Sequence, residues 1–269
     1  MRRMEPVPTI VVSIALCGLM MATARQAVGQ TRDSYEVASR TVMPSTSKGL
    51  AAIDAAARNG KYLFIFFWKA NDRQSQTMYG VFQSAVRKWR ESADSVGVRI
   101  TDPNERPIVD KLGLSRAPMP LVLALAPNGA VTKSFPIKFD ETQLRDGFVS
   151  PATAKCLKAL QERKLVLLCV HNQTTQFAPS AMAAAQNFKA DARYAKTTEI
   201  VMVNPEDQAE TSLLEGLKVN PQTPQAVTVV LAPPGKPVAS FVGAVTKDQI
   251  ARKVAAASSG CGPSCACHK

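Results

Sequence analysis

The final residues, Ser258-Ser259-Gly260-Cys261-Gly262-Pro263-Ser264-Cys265-Ala266-Cys267-His268-Lys269, place three of the six cysteines and one of the two histidines within eight positions. Thiolates are soft ligands that suit Cu(I) and Zn, and an imidazole can complete such a set. Cys261, Cys265, Cys267 and His268 are therefore candidate metal ligands, with Gly262 and Pro263 shaping a turn around one ion. Their spacing is not that of a zinc finger, and the Cys-x-Cys step suits a small thiolate cluster better. The same thiols can instead do redox work on a mobile arm, or oxidise without function. All three readings stay open, although short Cys/His-rich tracts favour metals.

Other reactive side chains are scattered. Cys156 falls in a predicted helix and Cys169 in the strand after it, where each reads as a small buried hydrophobe. A bond between them requires the helix to fold back onto that strand. His171 follows the strand and can ligate a metal, bind a substrate or simply be solvated. Asp72 and Arg73 set opposite charges at the start of a predicted helix; Asp72 reads best as its N-cap, while the pair can also meet a peptide or an anion. There is no phosphate-binding glycine loop, no paired-carboxylate pattern and no Gly-x-Ser-x-Gly nucleophile motif.

The opposite end reads as an export signal. Arg2 and Arg3 precede an uncharged, mostly apolar run from Thr9 to Met21, shorter than the roughly 20 residues needed to cross a bilayer. Cleavage fits after Ala22-Thr23-Ala24 or after Ala27-Val28-Gly29, the second being preferred. A lipoprotein reading of Cys17 fails because Leu16 precedes it. Removing residues 1–29 leaves 240 and lowers the formal net charge from +12 to +10. An exported chain, periplasmic or extracellular, meets oxidising conditions, and its five remaining cysteines are an odd number. Its basic surface favours anionic partners such as lipid headgroups, cell-wall polymers or acidic proteins, although a merely solvated basic surface is the preferred reading. Lys and Arg are not clustered and no nucleic-acid motif accompanies them. No other stretch is long and apolar enough to span a membrane.

These candidate groups hang on elements that occur twice. Residues 30–46 are polar and turn-rich and read as a disordered lead-in. Beyond them the chain divides near Ser150-Pro151. At an offset of 106 residues Pro118 meets Pro224, Ala126-Pro127 meets Ala232-Pro233, and Gly129 meets Gly235. Phe135 then meets Phe241, and Gln143-Leu144 meets Gln249-Ile250. An ordered series of this kind points to duplication of a unit of about a hundred residues. Periodicity predicts a helix from Ser47 to Asn59, a buried strand from Tyr62 to Trp68, a long helix from Gln74 to Trp89 and a strand from Val96 to Ile100. A hairpin follows around Pro127-Asn128-Gly129, then a helix from about Glu141. The second copy repeats the order, with strands at Leu165–Val170 and Ile200–Val203 and a hairpin around Pro233-Pro234-Gly235. Each copy reads β-α-β and then β-β-α, which predicts a layered α/β fold.

This pattern resembles the thioredoxin fold. Phe66-Phe67-Trp68 is similar to the central strand that leads into that family's active site. Ala117-Pro118-Met119 and Thr223-Pro224-Gln225 resemble the segment where the family places a cis-proline beside the site, making Pro118 and Pro224 the cis-proline candidates. The resemblance implies two tandem thioredoxin-like domains, residues 47–150 and 151–258, each a central mixed sheet flanked by helices, before the tail at 259–269. It also implies a Cys-x-x-Cys at the start of the helix after the central strand. Here Asp72 and Ser75 stand at those positions, and His171-Asn172-Gln173-Thr174-Thr175-Gln176 holds no cysteine in the second copy. Without a thiolate neither position can exchange disulfides. Cys261-Gly-Pro-Ser-Cys265 itself looks like the family's active-site loop with one residue inserted. The expectation is an exported binding or scaffold protein for proteins or peptides, its tail capturing Cu(I) or Zn. The alternative is a thiol–disulfide oxidoreductase acting through the tail cysteines.

Overall fold

The computed structural model describes residues 47–258. The first copy runs α1 (Lys48–Arg58), β1 (Tyr62–Trp68), α2 (Arg73–Lys88), β2 (Ala93–Arg99), α3 (Arg106–Lys111), β3 (Leu121–Leu125), β4 (Val131–Pro136) and α4 (Glu141–Arg145). The second runs α5 (Pro151–Gln161), β5 (Leu165–Val170), α6 (Ala178–Ala190), β6 (Thr198–Val203), α7 (Thr211–Gly216), β7 (Val227–Ala232), β8 (Lys236–Val242) and α8 (Lys247–Ser258). Each copy folds around a four-stranded mixed sheet, in the order β2-β1-β3-β4 and β6-β5-β7-β8. The first two strands of each copy pair in parallel, and the hairpin strands add antiparallel.

The central strands are buried on both faces, which explains their unbroken apolar runs. Alternate residues of β1 enter two cores. Leu63, Ile65 and Phe67 pack with Ala56 of α1 and Ile108 of α3. Phe64 and Phe66 pack with Met78 and Phe82 of α2 and Leu144 of α4. In the second copy Val166, Leu168 and Val170 face Cys156 and Leu214, while Leu167 and Cys169 face Ala181, Phe188 and Ile250. Cys156 and Cys169 therefore lie on opposite faces of one sheet, and both are unpaired. Burial pushes the Cys156 thiol up to about 12 and the Cys169 thiol up to about 11.

Register and capping account for the repeated residues. Gly129 and Gly235, both at positive φ, close the hairpin turns by donating to Ala126 O and Ala232 O. Gln143 completes a capping box with Asp140 at the start of α4, and Gln249 makes the same exchange with Thr246 at α8. Leu144 and Ile250 beside them are fully buried. A further duplicated device joins distant segments. The buried Glu105 carboxylate accepts from Ser47 Oγ, Lys48 N and Gly49 N, closing the N-terminus of α1. Glu210 does this for α5, accepting from Ser150 Oγ and Ala152 N. A negative group is favourable at a helix N-terminus and satisfies donors that have no partner within the helix.

The two copies meet through α5. Asn128 Nδ2, in the first hairpin turn, donates to Ala154 O at 2.8 Å. The Gln161 side-chain amide accepts from Val131 N at 3.0 Å and donates to Val131 O at 2.6 Å, covering part of the β4 edge. Among the described residues no helix is long and apolar enough to cross a membrane.

Candidate functional site

In each copy the parallel strands end beside the N-terminus of the following helix, the place where open α/β sheets present ligand-binding groups. In the first copy β1 ends at Trp68 and β2 at Arg99, its register partner. The chain then turns through Lys69–Asp72 into α2. Asp72 is the N-cap of that helix: its carboxylate accepts from Ser75 N at 2.7 Å. Ser75 is buried in the first turn. The two positions that replace the cysteine pair are thus bonded to each other, and neither carries a thiol.

The cis-proline candidates require correction. The cis peptide bonds among the described residues are Met119–Pro120 and Pro233–Pro234. Pro118 lies two residues farther back than the cis proline; β3 begins directly after Pro120, so the residue abutting the strand takes the place assigned to Pro118. In the second copy Pro224 is trans and the residue abutting β7 is Ala226, while Pro233–Pro234 lies in the hairpin turn. Pro118 and Pro224 occupy equivalent positions, but two prolines flank Met119 whereas only Pro224 flanks Gln225.

This difference changes the main chain. In the second copy Gln176 pairs with the segment before β7: its N–H donates to Pro224 O at 2.8 Å, and its carbonyl accepts from Ala226 N at 2.9 Å. Pro120 has no N–H to give. Among the described residues, neither the N–H nor the carbonyl of Met119 has a backbone partner. The residue after β4 sharpens the contrast. Ile137 adopts φ 64° and is 46% exposed, and it donates to Pro120 O. Its counterpart Gly243, at φ 82°, donates to Ala226 O. A β-branched residue in the left-handed region is strained, whereas glycine is at ease there. Gln74 Nε2, from the first turn of α2, donates to the Ile137 carbonyl at 3.2 Å.

On the other side of each loop a cleft opens between the helix and the outer parallel strand. The first, of 440 Å³, is lined by Phe66, Trp68, Asn71, Ser75, Gln76, Tyr79 and Arg99. The second, of 730 Å³, includes His171, Asn172, Thr175, Met182, Asn204 and Glu206. Val170 and Val227 pair as Phe67 and Leu121 do, so His171 stands where Trp68 stands and Asn204 where Arg99 stands. His171 Nε2 is buried without a hydrogen-bond partner among the described residues. Around it Asn172 organises the loop: its carboxamide oxygen accepts from Thr174 N, Thr174 Oγ1 and Thr175 Oγ1.

Cys261, Cys265, Cys267 and His268 lie outside the described residues, as do residues 1–46. Among the described residues no group of three or more His, Cys, Asp or Glu is placed to hold a metal ion.

No family model matches the chain, and no curated protein matches it. Solved structures do. The chain is similar to thioredoxin O2 from Arabidopsis thaliana, with 15% identity over 36% of this chain and 80% of that one and a TM-score of 0.30. It is similar to the first two thioredoxin domains of Saccharomyces cerevisiae Eps1p, with 11% identity over 78% of this chain and 98% of that one and a TM-score of 0.29. For human ERp44 the identity is 11% over 78% of this chain and 56% of that one, with a TM-score of 0.34. Strand order, register and the duplicated caps agree in both copies: residues 47–258 are two tandem domains of one fold, each a four-stranded mixed sheet with the strand order expected of a thioredoxin-like fold.

Proposed function

We propose that this chain is an exported, non-catalytic binding protein whose first domain takes an extended segment of a partner protein alongside Met119. One observation carries the reading: before β3 the Pro118 carbonyl and Met119 have no backbone partner among the described residues and Pro120 has no N–H, while before β7 the equivalent Pro224 carbonyl and Ala226 N–H are taken by the protein's own Gln176. An unpaired extended segment is a template for strand addition, in which backbone hydrogen bonds supply affinity and neighbouring side chains supply selection. Ile137 supports the assignment to the first domain. An exposed, strained apolar residue beside the open segment is retained where the surrounding structure holds it and a ligand uses it. With Asp72 and Ser75 in place of thiols, a captured segment is held rather than reduced.

The tail adds a second function to the same proposal. Cys261, Cys265, Cys267 and His268 supply three thiolates and an imidazole for Cu(I) or Zn. Metal analysis of the mature protein, purified reduced, is expected to give about one equivalent per chain, lost in a version ending at Gly260.

The binding test is selection of peptides from a random library on the mature protein. Selected peptides are expected to compete with one another, to lose affinity about tenfold or more on Ile137→Asp, and to be indifferent to Phe177→Asp at the closed site. Selected peptides insensitive to Ile137→Asp would remove the first-domain site from the account. Turnover of insulin disulfides that disappears in Cys265→Ser would replace binding with tail-borne redox catalysis.

A further inference from the structure

The cleft between α2 and β2 lies on the far side of the loop from Met119 and is built differently. Its walls are aromatic. The Phe66 ring centroid lies 5.9 Å from Trp68 and 5.2 Å from Tyr79, and Trp68 and Tyr79 are 6.4 Å apart. Gly97 gives the indole its seat: a Cβ there would come within 3.0 Å of the Trp68 ring. Tyr79 is held from behind by Phe82, stacked at 6.1 Å, and its hydroxyl accepts from Gln83 Nε2. Phe66 is fully buried, and Tyr79 is exposed along the cleft. Trp68 and Tyr79 are thus held as a surface that is partly open to the cleft, with Phe66 beneath them.

One charge is added to that surface. Arg99 lines the cleft, and no acidic side chain does. Its guanidinium has no ion-pair partner among the described residues, although nine ion pairs occur elsewhere on them. The amides of Asn71 and Gln76 complete the polar rim. In the second domain the same place is occupied by His171, Met182 and Asn204, with Glu206 at the rim, so the aromatic walls and the cation are absent together. Asp72 is engaged with Ser75 N and does not line the cleft.

We infer that this cleft binds a small aromatic carboxylate, its ring on Trp68 and Tyr79 and its carboxylate on Arg99. Offset or edge-on ring contacts suit tilted walls of this kind. A planar guanidinium matches a carboxylate with two parallel hydrogen bonds. A cavity of 440 Å³ falls within the range of small-ligand sites. The site is independent of the segment at Met119 and does not require a partner protein.

The probes are 3-phenylpropionate and its neutral amide, titrated into the full mature chain while Trp fluorescence and the Trp68 indole N–H resonance are followed. Saturable binding of the acid is expected, with the amide weaker by about tenfold or more, because a charge-assisted bond is lost. Arg99→Gln, an exposed substitution that leaves the core intact, is expected to bring the acid down to the amide's affinity. Trp68→Phe is expected to weaken both probes. Equal affinity for acid and amide, unchanged binding in Arg99→Gln, or no saturable response to the acid would each overturn the inference.

Discussion

Trp68 and His171 stand at the ends of equivalent strands, and the two domains present different chemistry there. The first surrounds its strand ends with aromatic rings and a guanidinium that has no ion-pair partner among the described residues, and leaves the Pro118 carbonyl without a backbone partner. The second surrounds them with an imidazole, carboxamides and threonine hydroxyls, and spends Gln176 on its own main chain. The scaffolds beneath are the same down to the buried glutamate that closes the first helix of each. The two copies share what holds the sheet and its helices together and differ in what faces outward. A fold of this kind hosts many functions because its site residues sit on loops and strand ends that stability does not constrain.

The buried glutamates test how alike the scaffolds are. Glu105 accepts three hydrogen bonds, one from Lys48 N; Glu210 accepts two, because Pro151 stands in the place of Lys48 and has no N–H. Removing a carboxylate leaves buried donors unsatisfied at roughly 1 kcal/mol or more each. Glu105→Ala is expected to lower the unfolding free energy by about 3 kcal/mol and Glu210→Ala by about 2, read from urea unfolding of each variant. Equal losses would mean that the third bond contributes nothing.

The domains also differ in their response to alkali. Both core cysteines are in the second. Their thiols ionise near 9 in the unfolded chain but only at about 12 and about 11 when folded. Folding therefore holds these protons more tightly. The stabilising contribution is complete below about pH 9 and is lost as pH rises through the folded values, at about 1.4 kcal/mol per pH unit per thiol. Cys156→Ala and Cys169→Ala should each flatten the alkaline limb of the stability curve. An unchanged slope would show that the thiols titrate as they do in water. In native protein at neutral pH both should resist alkylation while the tail cysteines react.

A smaller effect separates Ile137 from Gly243. Ile137→Gly removes a left-handed β-branched residue, a gain of about 1–2 kcal/mol, against about 0.4–1 kcal/mol for the added freedom of the unfolded chain. A net increase in stability of about 0.5 kcal/mol is expected, together with weaker binding of selected peptides. Stability gained with no loss of binding would leave the strained residue without a function.

The sequence made the scaffold legible because the scaffold is periodic. Apolar runs on two-faced strands, a glycine at each hairpin turn and a glutamine at each last helix repeat at fixed offsets, and the elements follow. The loss of the cysteine pair was legible as well, since residue identity alone excludes a thiolate. The cis peptide was not, because Pro118-Met119-Pro120 offers two prolines and only the start of β3 decides between them. Gln176 could not be found either. Its role lies in backbone pairing with residues some fifty positions away, and no side-chain type announces it. The aromatic cleft was half visible: Phe66 and Trp68 are adjacent in sequence to a recognisable loop, but Tyr79 and Arg99 join them only when α2 and β2 pack on either side of the strand. Glu105 and Glu210 repeat in the sequence too, at an offset different from that of the hairpins, and so escaped an ungapped comparison.

The contrast between the two main-chain segments can be measured by amide hydrogen exchange at Met119 and Ala226 in the free protein. Met119 is expected to exchange close to the rate of an unstructured amide and to become protected when a selected peptide binds. Ala226 is expected to be protected throughout. Protection of Met119 in the free protein, or exchange at Ala226 as fast as at Met119, would contradict the claim that Gln176 pairs the segment before β7 while the segment before β3 lacks such a partner.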